Sequence, residues 1–125
     1  MERSFGTLAV RVYTAGGALP VEGATVRISS GGEVLYSLPT DRDGLTERVR
    51  LPAPSTDLSL SPAPESIPYA TYDVTVDAEG FERKIIHGVS VFSGIDSIQL
   101  VNLIPNSGDT RSENEIFIPK YNDLE

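Results

Sequence analysis

Apolar and polar positions alternate with period two along much of the chain. Leu8, Val10 and Val12 alternate with Thr7, Ala9, Arg11 and Tyr13. Ala24, Val26 and Ile28 alternate with Thr25, Arg27 and Ser29. Tyr72, Val74 and Val76 alternate with Thr71, Asp73, Thr75 and Asp77. Each set places one apolar row on one side of a pleated strand. The Thr, Val, Ile and Tyr content suits such half-buried surfaces. Helical spacing is missing even from Asp109 to Ile118, a ten-residue stretch free of Gly and Pro.

The turn residues fall where strands would end. Gly16-Gly17 follows the first strand, and Gly31-Gly32 between Ile28 and Val34 predicts a hairpin. Asp43-Gly44 closes a polar turn before a strand over Leu45–Leu51. Glu79-Gly80 precedes a strand over Phe81–Ile86, and Ser93-Gly94 divides Val89–Phe92 from Ile95–Ile104. Seven or eight short strands at this spacing predict an all-β, antiparallel Greek-key sandwich. Val101-Asn102-Leu103-Ile104-Pro105 departs from clean alternation, so both faces of that last strand are expected to be partly covered, with no register assigned.

Two stretches break the rhythm. Residues 52–68 hold five of the nine prolines, which marks a long connection and not a ladder strand. Leu58 and Leu60 within it either tack the loop onto the sandwich or form a contact site. Residues 106–125 read as a linker-like acidic tail, five carboxylates against two cations. That leaves −3 on the tail and −5 on residues 1–105, the expected domain. Ile116-Phe117-Ile118-Pro119 within the tail is suited to adding a strand to an exposed edge, of this domain or a neighbouring one.

Composition narrows the function classes. A length of 125 residues suits one domain. The net charge of −8 argues against a nucleic-acid partner, which needs clustered Lys and Arg. No apolar run approaches the ~18 residues of a membrane span, so no membrane insertion is expected. Met1–Phe5 lacks a charged region followed by an apolar stretch, so no secretory signal is expected within this sequence. The absence of Cys removes disulfides, thiolate nucleophiles and Cys-ligated metals.

The opening Gly6-Thr7-Leu8-Ala9-Val10-Arg11-Val12, with Pro20-Val21-Glu22-Gly23-Ala24-Thr25-Val26 and Thr40-Asp41-Arg42-Asp43-Gly44, resembles carboxypeptidase regulatory-like domains. Tyr72 to Phe81 and Val101 to Pro105 are similar to two later strands of that family. The resemblance covers residues 5–105 and implies a transthyretin-like (prealbumin-like) β-sandwich. The proline-rich insert and Gly88–Pro105 are also similar to the domain preceding peptidoglycan-binding repeats in clostridial cell-wall and spore-cortex-lytic-type proteins. That implies an accessory module of a larger envelope protein.

Candidate chemistry is sparse. His87 is the only histidine, and a Ser-His-Asp arrangement would need it, but no G-x-S-x-G elbow is present. The fold also hosts a hydroxyisourate hydrolase with several histidines and a C-terminal Tyr-Arg-Gly-Ser signature. This chain has one His and ends Asn122-Asp123-Leu124-Glu125. Asp41, Asp43 and Glu47 are too few and wrongly spaced for a calcium loop, and a capped turn is expected there. One His and no Cys exclude a usual zinc site. A Lys–Asn isopeptide bond, as in similar-looking pilin and adhesin domains, needs a Lys in the first strand. That strand offers Arg11, and the only lysines are Lys84 and Lys120, so none is expected. Tyr13, Tyr36, Tyr69, Tyr72, Phe92 and Tyr121 are available for a sugar platform, though alternation places Tyr72 in the core.

These readings predict no catalytic residue, no metal, no cofactor and an unassigned binding site. The expected function is a non-catalytic spacer or protein-interaction module of a bacterial cell-envelope or peptidoglycan-associated protein. Its partners would be neighbouring domains of the parent chain, and peptidoglycan or another cell-wall glycan. Its place would be the envelope or the extracellular side, spores included. The alternatives are a glycan-binding module and a small hydrolase using His87.

Overall fold

A computed structural model describes residues 4–54, 69–106 and 113–118. Leu58, Leu60, Pro119, Lys120 and Tyr121 lie outside the described residues. Among the described residues nine strands form: β1 (Phe5–Thr14), β2 (Leu19–Pro20), β3 (Thr25–Ser30), β4 (Glu33–Pro39), β5 (Val49–Pro52), β6 (Ala70–Asp77), β7 (Arg83–Val91), β8 (Asp96–Asn102) and β9 (Glu113–Phe117). Among the described residues the helical content is one 3₁₀ turn, Ala15–Gly17, and no helix is long and apolar enough to cross a membrane.

The strands make two sheets. In the first, β1 is central, with β8 on one side and β5 and β2 on the other. The second runs β4-β3-β6-β7-β9. This is the all-β two-sheet sandwich that the sequence predicts for a transthyretin-like domain. The antiparallel expectation is corrected at two pairings, β1 with β8 and β7 with β9, which are parallel, and the rest are antiparallel. Both parallel strands arrive after the chain has crossed between the sheets, which removes the hairpin constraint on direction.

The three alternating rows meet between the sheets. Leu8, Val10 and Val12 of β1 are fully buried, as are Val26 and Ile28 of β3 and Val74 and Val76 of β6. Val49, Leu51, Val101 and Leu103 complete the first layer, and Tyr72, Ile86, Val89 and Val91 the second. Each such side chain contributes roughly 1.5–3 kcal/mol when taken out of water.

One strand corrects the sequence expectation. The sequence reading sets Phe81–Ile86 and Val89–Phe92 apart, and in the structure the buried parity changes from even to odd between Ile86 and Val89. Arg83–Val91 nonetheless forms a single strand, β7, with a bulge. Tyr72 pairs with Val89 and Val74 with Ile86, so His87 and Gly88 together oppose Asp73. Gly88 takes φ 85°, and the inserted residue resets which side chains face the core. Val101 and Leu103 are buried and Asn102 between them is half-buried, while Ile98 and Leu100 are 51% and 53% exposed, so the outer face of β8 is open ahead of Val101.

β1 is bound along its whole length. β5 pairs with Phe5–Leu8 and β2 with Tyr13–Thr14. Between them, the Thr46 hydroxyl and amide bond Val10, the Gly44 carbonyl accepts the Val12 amide at 2.7 Å, and the Val21 amide donates to Val12 at 3.0 Å. Thr40 ties these loops together. Its buried hydroxyl accepts the Ala24 amide at 2.9 Å and donates to the Val21 carbonyl at 2.7 Å. Replacing that hydroxyl leaves one donor and one acceptor unpaired in the interior. Thr40→Val should therefore lower stability by about 1–3 kcal/mol, read as the urea midpoint. Gly44→Ala should cost about 2 kcal/mol or more, because Gly44 has φ 77° and a Cβ there would lie 2.2 Å from the Val12 carbonyl oxygen.

Candidate functional site

The β7 bulge puts His87 on the outer face of the second sheet. Its Nδ1 lies 3.3 Å from Asp73 Oδ1, on β6. Its ring stacks on Phe117 of β9, with centroids 4.4 Å apart and planes 14° from parallel. Its carbonyl accepts the Ile118 amide at 2.9 Å. The imidazole is thus built into the joint between β7 and β9. The Gly88 position helps this joint, since a Cβ there would meet the Ile118 carbonyl oxygen at 3.0 Å. Ile118 packs against the core beneath it.

The Asp41 loop is a capped turn. Asp41 Oδ1 accepts the amides of Asp43 and Leu45 at 2.9 and 3.0 Å, and the Asp41 carbonyl accepts the Gly44 amide at 2.9 Å. That carboxylate supplies the anchor for the strand crossing. Among the described residues, no group of three or more His, Asp or Glu side chains is arranged to hold a metal ion.

Arg11 lies on the outer face of β1, away from the core. Lys84 is buried in β7 and reaches across the sandwich to donate to the Asn102 carbonyl of β8 at 3.1 Å. It thereby covers a main-chain acceptor at the sheet edge, while the adjacent Asn102 Oδ1 is buried with no partner. The aromatic residues are dispersed. Tyr72 is buried and its hydroxyl donates to the Pro52 carbonyl, and burial raises its pKa. Tyr36 bonds the Arg50 carbonyl at 3.0 Å, and Tyr69 packs on Phe92 at 5.4 Å. Tyr13 stands on the outer face of the other sheet.

A cleft on the second sheet holds none of the site candidates named from the sequence. It has a volume of about 910 Å³ and is lined by Gly23, Thr25, Arg27, Asp77, Arg83 and Asn106, among others. Asp77 is its centre. Oδ2 accepts from Arg27 at 2.8 Å and Oδ1 from Arg83 at 2.6 Å. The two arginines come from β3 and β7, on either side of β6 in the same outward row. That cross-strand neighbourhood is invisible until the registers are known. Burial alone would raise the Asp77 pKa, but the Arg83 and Arg27 hydrogen bonds and charges outweigh it and hold the carboxyl below its ordinary range. Glu79 is also part of the lining, so two guanidinium groups face two carboxylates. The charges balance locally, and the arrangement stitches three strands together.

No family model matches the chain, and no curated protein sequence does. Solved structures share the fold. The Bacillus anthracis TIE protein matches at 15% identity over 82% of this chain and 17% of its own, with a TM-score of 0.54. GBS52, the minor pilin in the Gram-positive pathogen Streptococcus agalactiae, matches at 11% identity over 86% of this chain and 48% of its own, TM-score 0.56. Catechol 1,2-dioxygenase from Acinetobacter sp. ADP1 matches at 14% identity over 92% and 59%, TM-score 0.51. The chain therefore spans between about a sixth and three fifths of these proteins. At such identities the likeness is one of fold.

The Asp77 cluster predicts an acid dependence. A carboxyl whose folded pKa is depressed adds stability above its unfolded pKa, near ~4, and loses it as pH falls through the folded value. Asp77→Asn should flatten the decline in urea midpoint between about pH 5 and pH 2. Because the three side chains are 30–47% exposed, the difference at neutral pH should stay below about 1 kcal/mol.

Proposed function

We propose that this chain is a non-catalytic accessory module, a spacer or protein-interaction domain, of a larger bacterial protein of the cell envelope. The observation that carries this reading is the use made of its titratable groups. Asp41 caps a turn, Asp77 staples three strands, His87 joins two strands and Lys84 covers a sheet edge. A catalytic site needs groups with free valences directed into a shared space. Here each group faces a structural partner, in a different part of the sandwich.

The envelope assignment is supported by the resemblance to modules that precede peptidoglycan-binding repeats. It is supported also by the fold shared with a minor pilin of a Gram-positive pathogen. In that setting a cysteine-free sandwich with a well-bonded interior transmits position between neighbours without chemistry of its own. Attachment to the wall would be the work of other modules.

The test is co-sedimentation of the isolated chain with insoluble peptidoglycan. A spacer remains in the supernatant at all protein concentrations. Saturable pelleting that excess soluble glycan reverses would overturn the spacer reading in favour of glycan binding.

A further inference from the structure

The sandwich has strand edges that are treated differently. The β7 edge is covered by β9. The β4 edge carries Glu33 and Pro39 at its ends and pairs with β3 through an irregular register between Ile28 and Ser29. Such features discourage a further strand. β8 has no Pro, Lys or bulge from Asp96 to Asn102, and among the described residues it pairs on one side only, with β1.

The register fixes which groups β8 presents outward. The Ile95 carbonyl accepts the Thr7 amide, and the Leu103 amide donates to Tyr13. Odd-numbered residues thus bond towards β1, and Asp96, Ile98 and Leu100 direct their main-chain groups outward. On the outer face of the sheet, Ile98 and Leu100 stand beside Ala9 and Arg11 of β1. Ile95, Ile98 and Leu100 are each more than half exposed. Next to Leu100 is a cleft of about 400 Å³ lined by Arg11, Tyr13, Ala18 and Pro20.

The charge on this face runs against that of the chain. Arg11 and Arg50 are exposed on β1 and β5 and Arg48 reaches Thr7, against Asp96 on β8, whereas the whole protein carries −8. The Asp96 carboxylate accepts the Thr7 hydroxyl at 2.6 Å, and the Arg48 guanidinium reaches Thr7 Oγ1 and the Ser97 carbonyl. A second copy of the chain seated here would set arginines against arginines. An extended segment alternating apolar and acidic residues would meet both the isoleucines and the arginines. The molecule already accepts a strand that combines acidic and apolar residues: β9, with Glu113, Glu115, Ile116 and Phe117 in its sequence, runs parallel along β7.

We propose that the β8 edge and the adjoining Arg11–Leu100 cleft dock an extended acidic-apolar peptide segment of a partner polypeptide, which extends the first sheet by one strand. This deepens the interaction-module reading and names its partner class. The main-chain ladder would supply affinity, and the cleft and arginines would select the side chains.

The experiment uses the full chain and a fluorescein-labelled peptide of residues 111–118, Arg-Ser-Glu-Asn-Glu-Ile-Phe-Ile, followed by anisotropy. Saturable binding is expected. It should weaken about tenfold or more with Ile98→Lys, Leu100→Lys or Arg11→Glu, and with a peptide carrying Glu113→Lys and Glu115→Lys. Val34→Lys on the β4 edge should change it little. Ile98, Leu100, Arg11 and Val34 are all exposed, so these variants are expected to fold, which circular dichroism checks. Absence of binding, binding untouched by the β8 substitutions, or a concentration-dependent dimer abolished by Ile98→Lys would each overturn the proposal. Wall sedimentation does not depend on the β8 edge, so failure here leaves the module reading standing and failure there leaves this one.

Discussion

The hydroxyl of Thr40 is the point on which the sandwich closes. β1 is central to the first sheet, yet the middle of one of its edges faces no strand. Val10 and Val12 would have orphaned main-chain groups there, in the interior, at a cost of about 1–3 kcal/mol each. The chain meets this need with three loop residues, Val21, Gly44 and Thr46, which bond Val10 and Val12 directly. Those residues come from two separate crossings between the sheets. Thr40 links the crossings by holding Val21 and Ala24 while its neighbour Asp41 folds the turn that delivers Gly44. The closeness of Gly44 to Val12 leaves no space for a side chain. Two motifs that look like independent turns along the chain are therefore one mechanical unit.

That unit explains how much could be read in advance. The rows Leu8-Val10-Val12, Ala24-Val26-Ile28 and Tyr72-Val74-Val76 are all buried as alternation requires. The Gly31-Gly32 hairpin has both glycines at positive φ, as a two-residue turn between twisted strands demands. These signals are local, and local signals survive in a sequence. The bulge at His87-Gly88 is not local in this sense. It changes buried parity within one strand, which in a linear reading looks like the end of one strand and the start of another. The outer row Arg27-Asp77-Arg83 escaped for a related reason, since its members lie on three strands and only register makes them neighbours. For β8 the mixture of faces hid an ordinary alternation, because the strand is an edge whose outer row is as apolar as its inner one.

The polar interior follows a consistent rule. Thr40, Thr46 and Lys84 are the buried polar residues among those described, and each bonds main-chain groups. Buried side chains that serve the backbone have little freedom to serve a substrate. The same holds on the second sheet's outer face, where Asp73 and His87 join β6, β7 and β9. In a fold organised in this way the surface charges stabilise crossings and edges where main-chain groups would otherwise be exposed.

Edges then become the part of the surface with free capacity. A sandwich built from two open sheets has more edges than a barrel, and each unpaired edge offers donors and acceptors to any extended chain. In this protein one edge is covered by β9, one is irregular, and β8 is regular, apolar and flanked by arginines. Gln99 Nε2 does cover the Leu100 carbonyl, and Lys84 covers that of Asn102. The first of these bonds is exposed and within the same strand, so exchange for an incoming amide changes little in energy. The second is made from inside the sandwich by a buried side chain, and it marks where an added strand would stop. Between them the outward groups of Ile98 and the Leu100 amide are the stretch on which a short ladder can form, long enough to align a peptide and short enough to require the side-chain contacts for affinity.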